Sequence, residues 1–241
     1  EMFLRFGADT SQGGPESGPP LNTAAYKGFY DVVRLLLKYK VDVNIRGLLG
    51  RTPLHWAVHF NRKRIVRLLL KNNADVNLAD THEHKTPLHS APQYPDTVIA
   101  KLLLLNGANL AAVDNKYKWT PLFEAAYHGR HELVKLYVSK GASINFVEDR
   151  QKWTPLHAAT ALGHLKVMKL LLLAGCRVNE QDNKGFTPLH WTVWNDRPAE
   201  MKLLLKYNAL KTVKDLMGRT PCDLITKKRT HLFKILGTCT P

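Results

Sequence analysis

Acidic side chains are in short supply in this sequence. Twenty Asp and Glu stand against 35 Lys and Arg in 241 residues, a formal charge of +15 at pH 7 and a pI near 9.8. Such a balance favours an acidic partner, whether a protein segment, nucleic acid or an anionic lipid surface. Cysteine is scarcer still. Cys176, Cys222 and Cys239 are odd in number and show no metal-ligand spacing, which suits a reducing, intracellular setting in the cytoplasm, the nucleus or both. No Asn-x-Ser/Thr sequon and no signal peptide is present, and the longest apolar run, Leu170 to Ala174, is far too short to cross a membrane. Ser-His-Asp and Cys-His groupings, the phosphate loop G-x-x-x-x-G-K-[ST] and H-E-x-x-H are all lacking. Nothing argues for catalysis, a cofactor or a bound metal.

What the chain has instead is a repeat. From Gly50 to Asp80 it reads Gly-Arg-Thr-Pro-Leu-His-Trp-Ala, then Arg64-Ile-Val-Arg-Leu-Leu-Leu-Lys, then Asn73-Ala-Asp-Val-Asn. Thr52 can cap a helix whose first turn tolerates Pro53. Leu54 and Ala57 line one face of that helix, and Ile65, Val66, Leu68, Leu69 and Leu70 give the next helix its own apolar stripe. A pair so short cannot bury enough area alone and must stack on neighbours. Thr-Pro recurs at Thr52, Thr86, Thr120, Thr154, Thr187 and Thr220, at spacings of 34, 34, 34, 33 and 33, and Pro19-Pro20-Leu21-Asn22 fills the same slot one period earlier.

A period of 33 residues with T-P-L-H-x-A resembles the ankyrin-repeat family over nearly the whole chain. The resemblance implies an all-α solenoid of stacked helix-turn-helix repeats joined by β-hairpin fingers, forming a single domain over 1–241. Residues 1–18 read as the end of a partial repeat plus a loop. Repeats follow at 19–51, 52–85, 86–119, 120–153, 154–186 and 187–219, and 220–241 reads as a capping repeat. Its helices are placed on Pro221, Leu224 and Ile225, then Leu232 to Leu236, with a basic Lys227-Lys228-Arg229 turn. Because residues 1–9 match only the end of a repeat, the chain reads as part of a larger protein or complex. Pro92 should shorten the first helix of the third repeat. Arg62-Lys63-Arg64 opens a second helix, the end where a helix dipole disfavours cations.

His55, His89, His157 and His190 stand one per repeat, so they cannot converge on a metal; in the family this histidine is structural. The informative departures lie in the fingers. The regular form is Asp182-Asn-Lys-Gly-Phe-Thr-Pro188, whereas Asp80–Thr86, Asp114–Thr120 and Asp149–Thr154 (after Glu148) gain a residue, lose the glycine and carry basic tips. The resemblance places finger tips and the exposed side of the first helices on a concave, partner-binding face. The candidate contact residues there are His84, Lys85, Tyr117, Lys118, Trp119, Lys152 and Trp153 on the fingers. On the helices they are Trp56, Phe60, Tyr127, Trp191 and Trp194, with His59, Gln93, Tyr94, His128, Ala161 and Leu162 in the same slots. Exposed aromatics ringed by cations are typical anchors, although an aromatic before Thr-Pro also packs on the adjacent finger.

The leading expectation is a non-catalytic scaffold that binds an acidic or extended protein segment on this face. Nucleotide or nucleic-acid binding is the alternative, with Trp119 and Trp153 as stacking platforms and Lys85, Lys118 and Lys152 on phosphates. The resemblance also marks Asn44, Asn77, Asn145 and Asn179 as hairpin asparagines open to hydroxylation, with Ala111 breaking the series.

Overall fold

The computed structural model describes Gly13 and residues 18–91 and 96–237. The partial repeat at residues 1–9 and the segment holding Pro92, Gln93 and Tyr94 lie outside that range. Two compact units divide between Lys116 and Tyr117.

The first unit holds helices α1 (Pro20–Lys27), α2 (Tyr30–Lys38), α3 (Pro53–His59), α4 (Lys63–Lys71), α5 (Pro87–Ser90) and α6 (Val98–Leu105). First helices pack on first helices, α1 on α3 and α3 on α5, while α2 packs on α4 and α4 on α6. The second unit repeats this with α7 (Pro121–Tyr127), α8 (His131–Ser139), α9 (Pro155–Leu162), α10 (Leu165–Leu173), α11 (Pro188–Trp194) and α12 (Pro198–Lys206), closed by α13 (Phe233–Leu236). There α7, α9 and α11 form one layer and α8, α10 and α12 the other. Helix α5 has four residues against seven or eight in the other first helices of the repeats.

The Thr-Pro repeats start on a cap. Thr52 Oγ1 accepts the N–H of His55, and His55 Nδ1 accepts the N–H of Thr52 at 3.1 Å. The imidazole thus fills the role a Glu plays in the usual capping box. His89, His157 and His190 repeat the arrangement. With Nδ1 accepting, Nε2–H is left to donate, and it reaches the next finger: His55 to the Lys85 carbonyl at 3.0 Å, His157 to Phe186 at 3.1 Å, His190 to Arg219 at 3.2 Å. The histidine is therefore a staple between repeats. Burial depresses its pKa, to about 4 at His55 and His157, so both remain neutral. Asn22, standing where a histidine is usual, donates to the Arg51 carbonyl at 2.8 Å and performs the same job.

The core follows the expected stripes. Leu54, Ala57, Ile65, Val66 and Leu69 are buried in the first unit, and Leu122, Ala125, Leu133, Val134, Leu156, Val167 and Leu171 in the second. Cys176 is a small buried side chain whose thiol burial pushes up to about 12. Cys222, in contrast, stands in a disulfide, a bond that the reading of its spacing did not foresee.

Two local departures have physical reasons. The capping repeat does not form an α-helix over Pro221–Ile225 but a 3-10 turn at Cys222–Leu224. Asp223 occupies the histidine slot, and its carboxylate turns back onto the N–H and O–H of Thr220 at 2.7 and 2.8 Å. Arg62 caps α4, where its charge is unfavourable, yet its guanidinium reaches the Tyr26 carbonyl in the last turn of α1, at 3.5 Å. That is the negative end of the neighbouring helix dipole. Gly28 makes room for it, since a Cβ there would sit 2.9 Å from Arg62 Nε. Lys63 pairs with Asp96, and Arg64 lies over the Tyr30 ring at 4.5 Å.

Candidate interaction surface

The fingers are hairpins, each closed by a backbone hydrogen bond between its ends: Asp80 N–H to Lys85 (2.9 Å), Glu148 to Trp153 (3.0 Å), Asp182 to Phe186 (2.9 Å), Asp215 to Arg219 (2.8 Å). No extended strand forms among the described residues. Inside each turn sits a buried carboxylate. Asp80 accepts the amides of Glu83 and Lys85; Glu148 those of Arg150, Gln151 and Trp153; Asp182 those of Lys184 and Phe186; Asp215 those of Met217 and Arg219. Glu148, not the exposed Asp149, is therefore the counterpart of Asp80. Its carboxylate closes a turn of the same length as the one Asp80 closes.

The lengthened fingers still need a left-handed residue two places before the threonine. His84, Lys118 and Lys152 supply it with φ of 58°, 57° and 59°, a conformation that costs a non-glycine residue about 1 kcal/mol. In the short finger Gly185 has no alternative, because a Cβ would lie 2.6 Å from the backbone nitrogen of Leu216. Neighbouring tips are joined through their backbones: Thr81 N–H to Leu49 and Asn115 to Glu83 in the first unit, Asn183 to Gln151 and Leu216 to Lys184 in the second.

The candidate side chains do not all stand open. Trp56 is buried, 6% exposed, so it forms no wall of a groove; its ring packs edge-on against Tyr26 and stacks on Phe60. Trp153 and Trp191 both donate their indole N–H to one oxygen of Asp182, at 3.1 and 2.9 Å, with their rings 5.1 Å apart. These half-buried rings brace one finger against the next. Trp119 lies among Tyr117, Phe123 and Tyr127, at 4.6–5.0 Å between centroids. Phe123, which replaces a histidine, thus serves this aromatic cluster. Trp194 is the open member, 48% exposed. Among the cations, Lys85 and Lys116 both pair with Glu83, and Lys152 stands 3.6 Å from Asp149. His84 and Lys152 are exposed and Lys118 half-buried.

The asparagine series has a structural task. Asn44 accepts the Asp75 N–H, Asn77 that of Asn109, Asn145 that of Arg177 and Asn179 that of Leu210, all at 2.8–2.9 Å. Each links its turn to the turn one repeat on, and Ala111 has no group to do so.

Two apolar tips were not singled out from the sequence: Leu48-Leu49, and Leu216-Met217, the latter 78% and 76% exposed. The signal was available. Both fingers read Leu-x-Gly-Arg-Thr-Pro, with an apolar residue where the other tips are polar.

A model of three ankyrin repeats matches residues 1–80, 78–148 and 125–215. Among solved structures, the ankyrin repeat domain of Bcl-3, described as a unique member of the IkappaB protein family, superposes with a TM-score of 0.81 at 26% identity, covering 94% of this chain and 100% of that one. The ankyrin repeat domain of human ASB11 gives 0.81 at 25% identity, covering 92% and 99%. With a capped Thr-Pro helix pair recurring through both units, a histidine staple between repeats and a family model that accounts for residues 1–215, the chain belongs to the ankyrin-repeat family.

Proposed function

We propose that the chain is a non-catalytic interaction module that takes an acidic, extended protein segment along its finger tips and the adjoining ends of its first helices. Ankyrin repeats are in general protein-binding modules, which supplies the class. The acidic partner rests on one observation. Four finger carboxylates, Asp80, Glu148, Asp182 and Asp215, are buried inside their own turns, and Glu83 and Asp149 are paired with lysines, while Arg150, Lys152, Lys184 and Lys214 stand exposed. The charge of +15 is thereby expressed at the edge that meets a partner, where cations steer encounter and aromatic anchors hold it. The Tyr117–Trp119–Tyr127 cluster and Trp194 are the anchors in this reading. Stacking of bases is less well supported, because Trp119 already lies against three rings. An intracellular setting is part of the proposal.

The test is affinity capture from native lysate with and without nuclease, on wild type and on Arg150→Glu with Lys184→Glu. Nuclease-resistant recovery of a discrete protein, lost in the charge-reversed form, is the expected result. Recovery that disappears with nuclease would establish a nucleic-acid binder instead, and recovery indifferent to charge reversal would remove the acidic partner.

A further inference from the structure

Resting on that reading, we infer that the finger tip Leu216–Met217 is an apolar seat for a bulky apolar side chain of an acidic protein segment lying along the basic tips of the same unit. Leu216 and Met217 are among the most exposed large apolar side chains in the molecule, at 78% and 76%. Their exposure does not come from a loose loop. Asp215 accepts the Met217 and Arg219 amides at 2.8 and 2.9 Å and pairs with the Arg219 guanidinium at 2.8 Å. The Gly218 N–H returns to the Asp215 carbonyl at 2.9 Å, and Leu216 N–H is tied to Lys184 of the neighbouring tip at 3.1 Å. A braced turn holds two apolar side chains out in water, so the ordering cost of a contact there is already met in the unbound chain.

The neighbours define the occupant. Asn183 N–H binds the Gln151 carbonyl at 2.9 Å and its side-chain amide binds that of Arg150 at 3.2 Å. Tips 150–152, 183–184 and 216–217 therefore form one backbone-linked row, cationic over the first two and apolar at the third. Glu148, Asp182 and Asp215 are buried beneath it, and the exposed acid, Asp149, is matched by Lys152. A segment that fits is negative along two tips and carries a large apolar residue at the third. A second copy of this chain would bring another basic row against the first, which like charges oppose. Nucleic acid would satisfy the cations but has no aliphatic side chain to bury on Leu216 and Met217.

The probes are three fluorescein-labelled peptides: Gly-Ser, eight glutamates, Gly-Ser; the same with Leu-Phe replacing the C-terminal pair; and the same with Leu-Phe replacing the N-terminal pair. Fluorescence anisotropy on the whole chain at low salt gives their affinities. One Leu-Phe peptide should bind about tenfold more tightly than the parent, a gain of about 1.4 kcal/mol. Leu216→Ser with Met217→Ser should erase that gain while leaving the parent peptide within about twofold, and Met217→Ser alone should reduce it. No gain from either Leu-Phe peptide, or a gain that survives both serines, overturns the apolar seat and leaves the acidic-partner reading standing. Failure of all three peptides to bind overturns both. A dimer in light scattering that the two serines abolish would assign the tip to a second copy and likewise overturn it.

Discussion

Asp182→Asn tests whether Trp153 and Trp191 are anchors or braces. The carboxylate receives four N–H groups: Lys184 and Phe186 amides on Oδ1 at 2.8 and 2.9 Å, Trp153 and Trp191 indoles on Oδ2 at 3.1 and 2.9 Å. An asparagine keeps the shape but presents one oxygen and one NH2. Whichever way the amide turns, two donors face a donor. The lesser loss is on the indole side, because both rings are half-buried and water can reach them. Hydrogen bonds to a charged acceptor contribute about 1.5–3 kcal/mol each, so the variant should lose about 3 kcal/mol, near the lower end for two. Urea unfolding followed by far-UV dichroism gives the total. Fluorescence, with two of five tryptophans at the site, reports the local change. Trp153→Phe removes one of the four bonds and should cost about 1.5 kcal/mol. The double variant should cost less than the sum, since the two changes share a bond. An Asp182→Asn protein within about 0.5 kcal/mol of wild type would refute the bracing argument.

Leu69→Ala, at a fully buried position of α4, should destabilise by about 2–5 kcal/mol through the cavity it leaves, measured by urea unfolding. Gly185→Ala should cost about 2 kcal/mol or more, because φ of +77° and the approach of Leu216 both oppose a Cβ. Lys152→Gly, at a φ of 59° on an exposed tip, should instead be neutral or stabilising by about 0.5 kcal/mol; equal losses at the two sites would contradict the backbone reasoning. The folded chain keeps His55 and His157 neutral with pKa near 4, while the unfolded chain protonates them near 6.5. Stability should thus be complete above about pH 6.5 and fall as pH drops towards 4, by roughly 2–3 kcal/mol per histidine. A flat unfolding profile over that window would show that the imidazoles are not held as described.

Much of the fold was readable from residue order alone. Thr-Pro at 33 or 34 residues sets the start of each first helix, because threonine caps and proline tolerates the first turn wherever they occur. Leu and Val at helical spacing fix the buried faces. These are local rules with short reach. The exposure of the aromatic residues was not readable, because it depends on groups about 30 residues away. Trp153 looked like an open anchor until the carboxylate of Asp182, one repeat on, was found holding its indole. The cations of Arg62-Lys63-Arg64 looked misplaced until the end of α1 came within reach of Arg62. Of the adjacent acids Glu148 and Asp149, the three backbone amides that meet Glu148 show which one is the turn carboxylate, and residue order alone could not reveal that. The sequence by itself determined the repeat, its register and its core, since capping and helical periodicity act within a few residues. Only the tertiary structure decided which charges and rings remain for a partner, because burial is a property of what the next repeat lays on top.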